Sequence, residues 1–296
     1  MMDGAMNTEL SRKGFQFNTV EWLRVNCATP QPIAEIHADY ARAGAELHIA
    51  NSFATGRHVL EHFDLADEFV SLNRAAVEIC RAAVDDAASH DQWIAGSIST
   101  FAHDHDRGNL PGAAILERNV AEQADILAEA GCDVIALEML FDVESTVAML
   151  KGAERCGLPV SVGLVCTVSD DGTVGFGASR VAPDPKPGAL LAGALPQILD
   201  ASQAADKLIM TAMHTELEDS APALEVIRQQ WDGATAVYPN TGRYKAPGGW
   251  DTSTGCTPSE FADACENWIE LGATIVGGCC GIGPRHLQEL GARLNP

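Results

Sequence analysis

The sequence predicts an α/β protein that folds as a single-domain (β/α)8 TIM barrel over residues 1–296. Seven short runs rich in Val, Ile and Ala are bounded by Gly, Pro, Asn or Asp, as buried strands are. Longer amphipathic stretches separate and follow these runs. Such alternation gives parallel strands joined by crossover helices, and a chain of 296 residues suits one barrel of this kind.

The predicted strands cover 46–51, 93–99, 133–137, 159–165, 207–211, 235–238 and 274–276. The predicted helices cover 32–43, 65–88, 116–130, 143–155, 195–205, 221–230, 258–271 and 284–294. Thr257-Pro258-Ser259-Glu260 is typical of a helix start, with a capping side chain and a proline at the first helical position. Gly44 and Gly272 are two of the glycines that stand where a helix should end.

A barrel needs an eighth strand, and the extreme N-terminus ending at Asp3-Gly4 is the position that matches. Since two residues precede Asp3, we expect this strand to be very short. An open, doubly wound sheet is the alternative, although no Gly-x-Gly-x-x-Gly follows a strand to indicate dinucleotide binding. The stretches 169–194 and 242–257 are predicted to be long loops, which often cover the site of a barrel.

Charge and composition exclude several partners. The chain has 19 Lys and Arg against 41 Asp and Glu, a net charge of −22, which disfavours nucleic acid and anionic membranes. We find no transmembrane run and no signal peptide, so we expect a cytoplasmic protein whose nine cysteines are reduced thiols. Small molecules are the expected partners, and the apolar content permits a homo-oligomer.

Catalytic groups of a barrel lie where its strands end. Those positions hold Asp3, Asn51, residues 97–100, Glu138, Cys166, His214, Asn240 and Cys279-Cys280. Glycines frame the two vicinal cysteines and let the backbone bend so that both sulfurs face one point. Thiolates and one imidazole suit a catalytic zinc ion with an open fourth position. The alternative is that these cysteines are buried small apolar residues.

Gly277-Gly278-Cys279-Cys280-Gly281, followed by Pro284-Arg285-His286-Leu287, resembles the C-terminal signature of the homocysteine S-methyltransferase family. Further matches, in chain order, are Asp3-Gly4-Ala5-Met6-Asn7-Thr8-Glu9-Leu10, residues 40–45 leading to Asn51-Ser52-Phe53, Leu137-Glu138, and Tyr238-Pro239-Asn240-Thr241-Gly242. The resemblance covers nearly the whole chain. It implies a (β/α)8 barrel enzyme that transfers a methyl group to homocysteine and so makes methionine. A small onium donor of the S-methylmethionine or betaine type is expected.

Members of this family hold zinc with three cysteines, one after strand six and two after strand eight. The resemblance therefore implies Zn²⁺ bound by Cys279 and Cys280. At the position of the first family cysteine this chain has His214, in Ala212-Met213-His214-Thr215. Imidazole is a competent zinc ligand, and Cys166 after the fifth strand is a possible substitute. The alternatives are a pocket histidine bonded to a carboxylate and a core or pocket-wall cysteine.

The resemblance and the charge of homocysteine also imply a substrate pocket. We expect Glu138 and Asp3 to accept hydrogen bonds from the substrate ammonium, and the N–H groups of Gly4 and Ala5 to receive its carboxylate. Asn51 completes the expected substrate-binding set.

The expected donor pocket contains Phe53, Asn240 and Trp250, whose aromatic face can meet an onium methyl group. Family members often have tyrosine at the position of Phe53. After strand three, Ser97-Ile98-Ser99-Thr100 replaces a Gly-Pro turn, and residues 101–106 have metal-ligand composition but are expected to form a solvated loop. These departures keep two alternatives open: a metal-dependent methyltransferase of the same barrel with a different thiol acceptor, and a non-catalytic barrel that binds an amino acid.

Overall fold

A computed structural model describes residues 1–16, 18–88, 90–101, 110–177, 189–245 and 249–294, and the structural statements below concern these residues. Its helices are α1 Met6–Arg12, α2 Thr19–Ala28, α3 Pro30–Arg42, α4 Arg57–His62, α5 Phe69–Ala87, α6 Ala113–Glu129, α7 Val143–Glu154, α8 Leu191–Ala201, α9 Leu217–Arg228, α10 Pro258–Glu270 and α11 Pro284–Leu294. Within the described ranges, no helix combines the length and apolarity needed to cross a membrane.

The strands are β1 Leu47–Ala50, β2 Trp93–Ser99, β3 Val134–Leu140, β4 Val160–Leu164, β5 Cys166–Val168, β6 Val174–Phe176, β7 Ala189–Leu190, β8 Leu208–Glu216, β9 Ala234–Asn240, β10 Arg243–Lys245, β11 Gly249–Asp251 and β12 Ile275–Val276. Seven of them form one parallel sheet in the order β1-β2-β3-β4-β8-β9-β12. All seven predicted strands are found, so the α/β class and the parallel sheet are confirmed. Strands β3 and β8 extend beyond their predicted ends.

The N-terminal segment bonds to both edges of this sheet. The Met2 amide donates to the Val276 carbonyl oxygen of β12 at 2.9 Å, and the Asp3 amide donates to the Leu47 carbonyl oxygen of β1 at 2.9 Å. Met2 also forms a parallel bridge with Leu47. In place of the predicted N-terminal strand, the described residues show this one bridge.

Side-chain alternation along the strands separates two apolar regions. In β1, Leu47 and Ile49 face an inner cluster that contains Met2 and Tyr238. Ala50, the next residue along the strand, faces the larger core between the sheet and the helices. This alternation explains why the strands are apolar on both faces, as parallel strands covered by helices are.

Both predicted long loops contain antiparallel strands. Strands β6 and β7 lie inside the first predicted loop, where β6 pairs with β7 and also with β5, which ends just before that loop. Strands β10 and β11 pair in the second loop. Their runs of two or three residues are too short to show a period, which is why periodicity did not predict them. Residues 178–188 lie outside the described residues.

The helix predictions need two corrections. Helices α1, α2 and α4 were not predicted, although α2 has a capping box in which Asn18 and Glu21 satisfy each other's backbone N–H groups. The helix predicted from residue 65 begins as a 3₁₀ turn at Ala66–Glu68 before α5 starts at Phe69. A tight first turn of this kind is common at helix N-termini.

Tyr40 ties the closing segment to the C-terminal loop. Its fully buried hydroxyl lies 3.0 Å from the Ala5 carbonyl oxygen and 3.1 Å from that of Ile282.

We expect Tyr40→Phe to lower the free energy of unfolding by about 1–2 kcal/mol, since buried carbonyls lose their donor. Urea denaturation measures this. Val70→Ala on exposed α5 surface should change it by less than about 0.5 kcal/mol; an equal loss in both variants would contradict the assignment.

Candidate metal and substrate site

Three metal-binding side chains converge at the carboxyl ends of the strands. His214 lies in β8, and Cys279 and Cys280 lie in the loop between β12 and α11. The Cys279 sulfur lies 3.7 Å from His214 Nδ1 and 4.0 Å from the Cys280 sulfur, and all three ligand atoms lie within 4.8 Å of one another. Zn–S bonds of about 2.3 Å and Zn–N bonds of about 2.0–2.1 Å at tetrahedral angles separate ligand atoms by about 3.5–3.8 Å. The donor set and its spacing therefore fit zinc.

An irregularity in β8 presents His214 to the cysteines. The pairing of β8 with β9 shifts register between Met213 and Glu216, and His214 has a left-handed φ of 48°. A non-glycine residue in this region costs about 1–3 kcal/mol and persists when its surroundings impose it. The register shift re-aims a side chain that regular alternation would direct elsewhere.

The Asn240 side chain connects the two halves of this cluster. Its amide nitrogen donates to the His214 carbonyl oxygen at 3.2 Å, and its amide oxygen accepts from the Cys280 N–H at 3.2 Å. Asn240 has no exposed surface. It therefore fixes the backbone of one ligand relative to that of another. Both ends of the amide are thus bonded within the fold, and the expected place of Asn240 in a donor pocket stays a prediction.

Helix α1 holds the cysteine loop from the other side. The Gly281 N–H donates to Thr8 Oγ1 at 3.1 Å, and Arg12 Nη2 donates to the Gly281 carbonyl oxygen at 3.1 Å. Gly281 has a φ of 87°, and a Cβ there would collide with the Thr241 backbone. Only glycine fits this turn without strain.

The Cys279 thiol of this cluster holds its proton more strongly than a free cysteine does. A hydrogen bond to Cys280 raises the pKa of Cys279, burial raises it further, and His214 opposes the rise. A metal ion must displace the thiol protons, so metal affinity at this site falls as the pH falls.

Glu138 is a buried carboxylate beside the cluster. It accepts hydrogen bonds from the Ser97 hydroxyl and from the Tyr238 hydroxyl, the latter at 3.2 Å. Burial raises the pKa of Glu138, while the bonds from Ser97 and Tyr238 and the charge of His214 lower it. Two hydroxyl donors thus orient the Glu138 carboxylate. Its oxygens can accept further hydrogen bonds, including one from a cationic group.

The polar groups of the N-terminal segment that were predicted to bind substrate make hydrogen bonds within the fold. Asp3 Oδ2 accepts from the Ile49 N–H at 3.0 Å, and the side chain is 2% exposed. Burial raises the pKa of Asp3, and the Ile49 bond opposes this rise. The Ala5 N–H donates to the Ile282 carbonyl oxygen at 3.0 Å, and a Cβ on Gly4 would lie 2.6 Å from that same oxygen. The Ala5 N–H therefore has a partner within the fold, and the expected carboxylate contact at Gly4-Ala5 stays a prediction.

Asn51 pairs with Asn26 of α2. The Asn51 amide donates to Asn26 Oδ1 at 2.9 Å, and Asn26 donates to the Asn51 carbonyl oxygen at 2.7 Å. This reciprocal pair holds the end of β1 to a helix that the sequence did not predict.

The aromatic residues of the expected donor pocket lie in two places. Phe53 packs on Phe101 with ring centroids 5.8 Å apart. The Trp250 ring lies 6.2 Å from the His214 ring, and its indole N–H donates to the Thr241 carbonyl oxygen. Trp250 is thus the aromatic side chain beside the cluster. Of the loop after Phe101, residues 102–109 lie outside the described residues.

Cys166 does not join the three ligand atoms. Its buried sulfur lies 3.8 Å from the Leu164 carbonyl oxygen, and its N–H donates to Thr215 Oγ1 at 3.0 Å. Burial raises the pKa of this thiol to about 12. The arrangement is that of a wall cysteine rather than a ligand.

Sequence reasoning missed the partners of the site residues. Ser97 and Tyr238 appeared only as strand-end and turn residues, although both end strands near Glu138. Thr8 appeared only within the N-terminal family match and Arg12 carried no signal. Their contacts with Gly281 span 273 and 269 residues of chain.

The comparisons with known proteins identify the family of this chain. The family model for homocysteine S-methyltransferase matches residues 1–294. The chain therefore belongs to the homocysteine S-methyltransferase family, a family of methyltransferases, and the expectation from the sequence is confirmed.

Particular relatives match nearly the whole chain. Homocysteine S-methyltransferase YbgG of Bacillus subtilis is 27% identical over 99% of this chain and 93% of its own length. Methionine synthase of Mycobacterium tuberculosis is 26% identical over 98% of this chain, which spans only 24% of that relative. The metallated crystal structure of the Escherichia coli homocysteine methyltransferase MmuM superposes with a TM-score of 0.74 at 22% identity, covering 99% of this chain and 95% of that one. This likeness shows a shared fold.

We expect Asn240→Ala to weaken zinc binding by about 10–100-fold, as loss of outer-shell partners does. The physical reason is that the backbones of His214 and Cys280 lose their common tether. Competition with a chromophoric chelator measures the affinity. Asn267→Ala, on the exposed surface of α10, is the control and should bind zinc as the wild type does; unchanged affinity in Asn240→Ala would show that the tether is dispensable.

Proposed function

We propose that this chain holds Zn²⁺ with His214, Cys279 and Cys280 and transfers a methyl group from a small onium donor to the thiol of homocysteine. The product is methionine. One observation carries the proposal: two thiols and one imidazole converge at spacings of 3.7 and 4.0 Å, which suit a zinc centre with a further position for substrate. Membership of the family supplies the reaction class.

The chain's own residues supply binding and orientation. Zinc, when bound, supplies the Lewis acidity that keeps the acceptor thiol deprotonated at neutral pH. Glu138 accepts the substrate ammonium in a charge-assisted bond, with Ser97 and Tyr238 holding the carboxylate in place. Trp250, beside His214, presents an aromatic face to the onium group of the donor. Positioning of this kind supplies much of the rate of a displacement reaction.

We also propose that residues 1–296 form a single (β/α)8 barrel domain. The support is that Met2 and Asp3 bond to β12 and β1, so the N-terminal segment takes the place of an eighth strand between the sheet edges. Parallel strands with helices between them then leave the strand ends, and the site, on one face.

The ligand set favours a sulfonium donor over a quaternary ammonium donor. A shell of two thiolates and a neutral imidazole carries one negative charge fewer than the three cysteines of the family. The acceptor sulfur is therefore less electron-rich and a weaker nucleophile. A sulfonium donor compensates, because it releases a neutral thioether, a better leaving group than a tertiary amine. With S-methylmethionine as donor, both products are methionine.

A different thiol acceptor on the same barrel is the second candidate function. His214 in place of cysteine and Phe53 in place of tyrosine favour it, because both alter groups near the metal or donor. A substrate panel in which another thiol outcompetes homocysteine would support this candidate. A non-catalytic amino-acid-binding barrel is the remaining alternative, and it requires that no methyl transfer occurs.

We expect His214→Ala to lose most bound zinc and methyl transfer from S-methylmethionine to homocysteine, while His214→Cys retains both. Cysteine at this position restores a three-thiolate shell. Zinc per chain and methionine formation are measured on the same preparations. His62→Ala, at an exposed position of α4, should behave as wild type. Full zinc content in His214→Ala would refute the assigned ligand set.

We expect Glu138→Gln to raise the KM for homocysteine about 10–100-fold with zinc content unchanged, since an ammonium loses a charged acceptor. Because burial raises the pKa of Glu138, kcat/KM should also fall on acidification at a pH above the ordinary glutamate value. Protonation removes the charge that binds the ammonium, so the loss occurs toward low pH. Glu270→Gln, at an exposed position of α10, is the control; an unaltered KM would remove Glu138 from substrate binding.

A further inference from the structure

A second cluster of ligand-type atoms is formed by residues other than the cysteines. Asp3, His37 and His48 place ligand atoms within 4.8 Å of one another, and each residue is at most 2% exposed. Asp3 Oδ1, His37 Nε2 and His48 Nδ1 are also the three buried side-chain N or O atoms that have no hydrogen-bond partner among the described residues. Buried polar atoms are nearly always bonded, so three orphans in one place indicate a missing partner common to all three.

In each of the three side chains, the second polar atom already has a hydrogen-bond partner in the fold. His48 Nε2 lies 2.6 Å from Gln92 Oε1, and the Gln92 amide nitrogen donates to the carbonyl oxygens of His90 and Asp91. These two bonds fix the amide so that its oxygen faces His48. The Nε2 atom must then carry the proton, and Nδ1 presents a lone pair to the cluster.

The other two groups are held in the same manner. His37 Nδ1 lies 3.5 Å from the Cys80 sulfur, and Asp3 Oδ2 accepts from the Ile49 N–H. Neutral imidazole is the form that binds metals. Metal-ligating histidines usually have their second ring nitrogen bonded in this way.

We propose that Asp3, His37 and His48 bind a second divalent metal ion, of the zinc class, between the sheet and the helices. Two imidazoles and one carboxylate are an established donor set for zinc. Asp3 Oδ2 and His48 Nδ1 lie 3.9 Å apart, within about half an ångström of the spacing that Zn–N and Zn–O bonds of about 2.0–2.2 Å require. A cation also satisfies the two acceptors, Asp3 and His48, which otherwise face each other without a donor.

The position of this cluster assigns it a structural role. His48 lies in β1 on the face opposite to Leu47 and Ile49, His37 lies in α3, and Asp3 lies in the segment that bonds to both sheet edges. An ion there joins a strand, a helix and the N-terminal segment. The full burial of its ligands indicates an ion taken up as the chain folds rather than one that meets substrate.

The test counts metal in chains whose cysteine centre is removed, so that its outcome is independent of the proposed reaction. Cys279→Ser/Cys280→Ser protein, purified in the presence of zinc and freed of unbound metal, should retain about one equivalent of zinc per chain. Adding His48→Leu should remove it, whereas adding His62→Leu should not. Cobalt in the double variant should show ligand-field bands without thiolate charge-transfer absorption, since no sulfur coordinates it.

Anomalous diffraction from a crystal of the wild-type protein at the zinc absorption edge tests the proposal without the His48 variant, a test that is needed if that variant does not fold. An anomalous peak between His37 and His48 supports the proposal. Absence of this peak, with an ordered water in its place, overturns it. Zinc-free double-variant protein, or zinc retained after His48→Leu, also overturns it.

Discussion

The hydrogen bonds of the N-terminal segment are the constraint on which the rest of the structure depends. Met2 bonds to Val276, Asp3 to Leu47, and Ala5 to Ile282, so a few residues connect the first strand of the sheet to the last strand and to the loop beyond it. The Tyr40 hydroxyl bonds to the same carbonyls of Ala5 and Ile282. The position of the cysteine loop is therefore set by residues at the opposite end of the chain.

The metal cluster follows from that closure. Cys279 and Cys280 belong to the loop that the N-terminal segment holds. His214 belongs to β8, which β9 separates from β12 in the sheet. Asn240, at the end of β9, bonds to the backbones of both His214 and Cys280. A strained backbone at His214 is maintained because several bonds impose it. The site is preorganised by backbone contacts that do not themselves touch a substrate.

Local patterns predicted the elements better than their partners. The apolar runs gave all seven sheet strands, since buried parallel strands show their composition directly. The double cysteine and His214 were identified as candidate ligands because their chemistry is distinctive. The hairpins of β5–β7 and β10–β11 were missed because two or three residues show no period.

Hydrogen bonds between residues far apart in the chain are the part of the site that the sequence could not predict. Asp3 was expected to bind the substrate ammonium, and in the structure its carboxylate accepts from the Ile49 backbone N–H. Asn240 was expected in a donor pocket, yet its amide spans two ligand-bearing segments. Neither direction can be deduced from spacing along the chain, because each depends on where the N-terminal segment meets the sheet.

X-ray absorption spectroscopy of the zinc-loaded chain tests the central claim most directly. The account predicts two sulfur neighbours at about 2.3 Å and a nitrogen neighbour at about 2.0–2.1 Å for the centre formed by Cys279, Cys280 and His214. Cys279→Ser/Cys280→Ser protein provides the reference spectrum. It shows any zinc bound without sulfur ligands, whose contribution is subtracted from the wild-type spectrum. A centre with three protein sulfurs, or one without sulfur, would contradict the account.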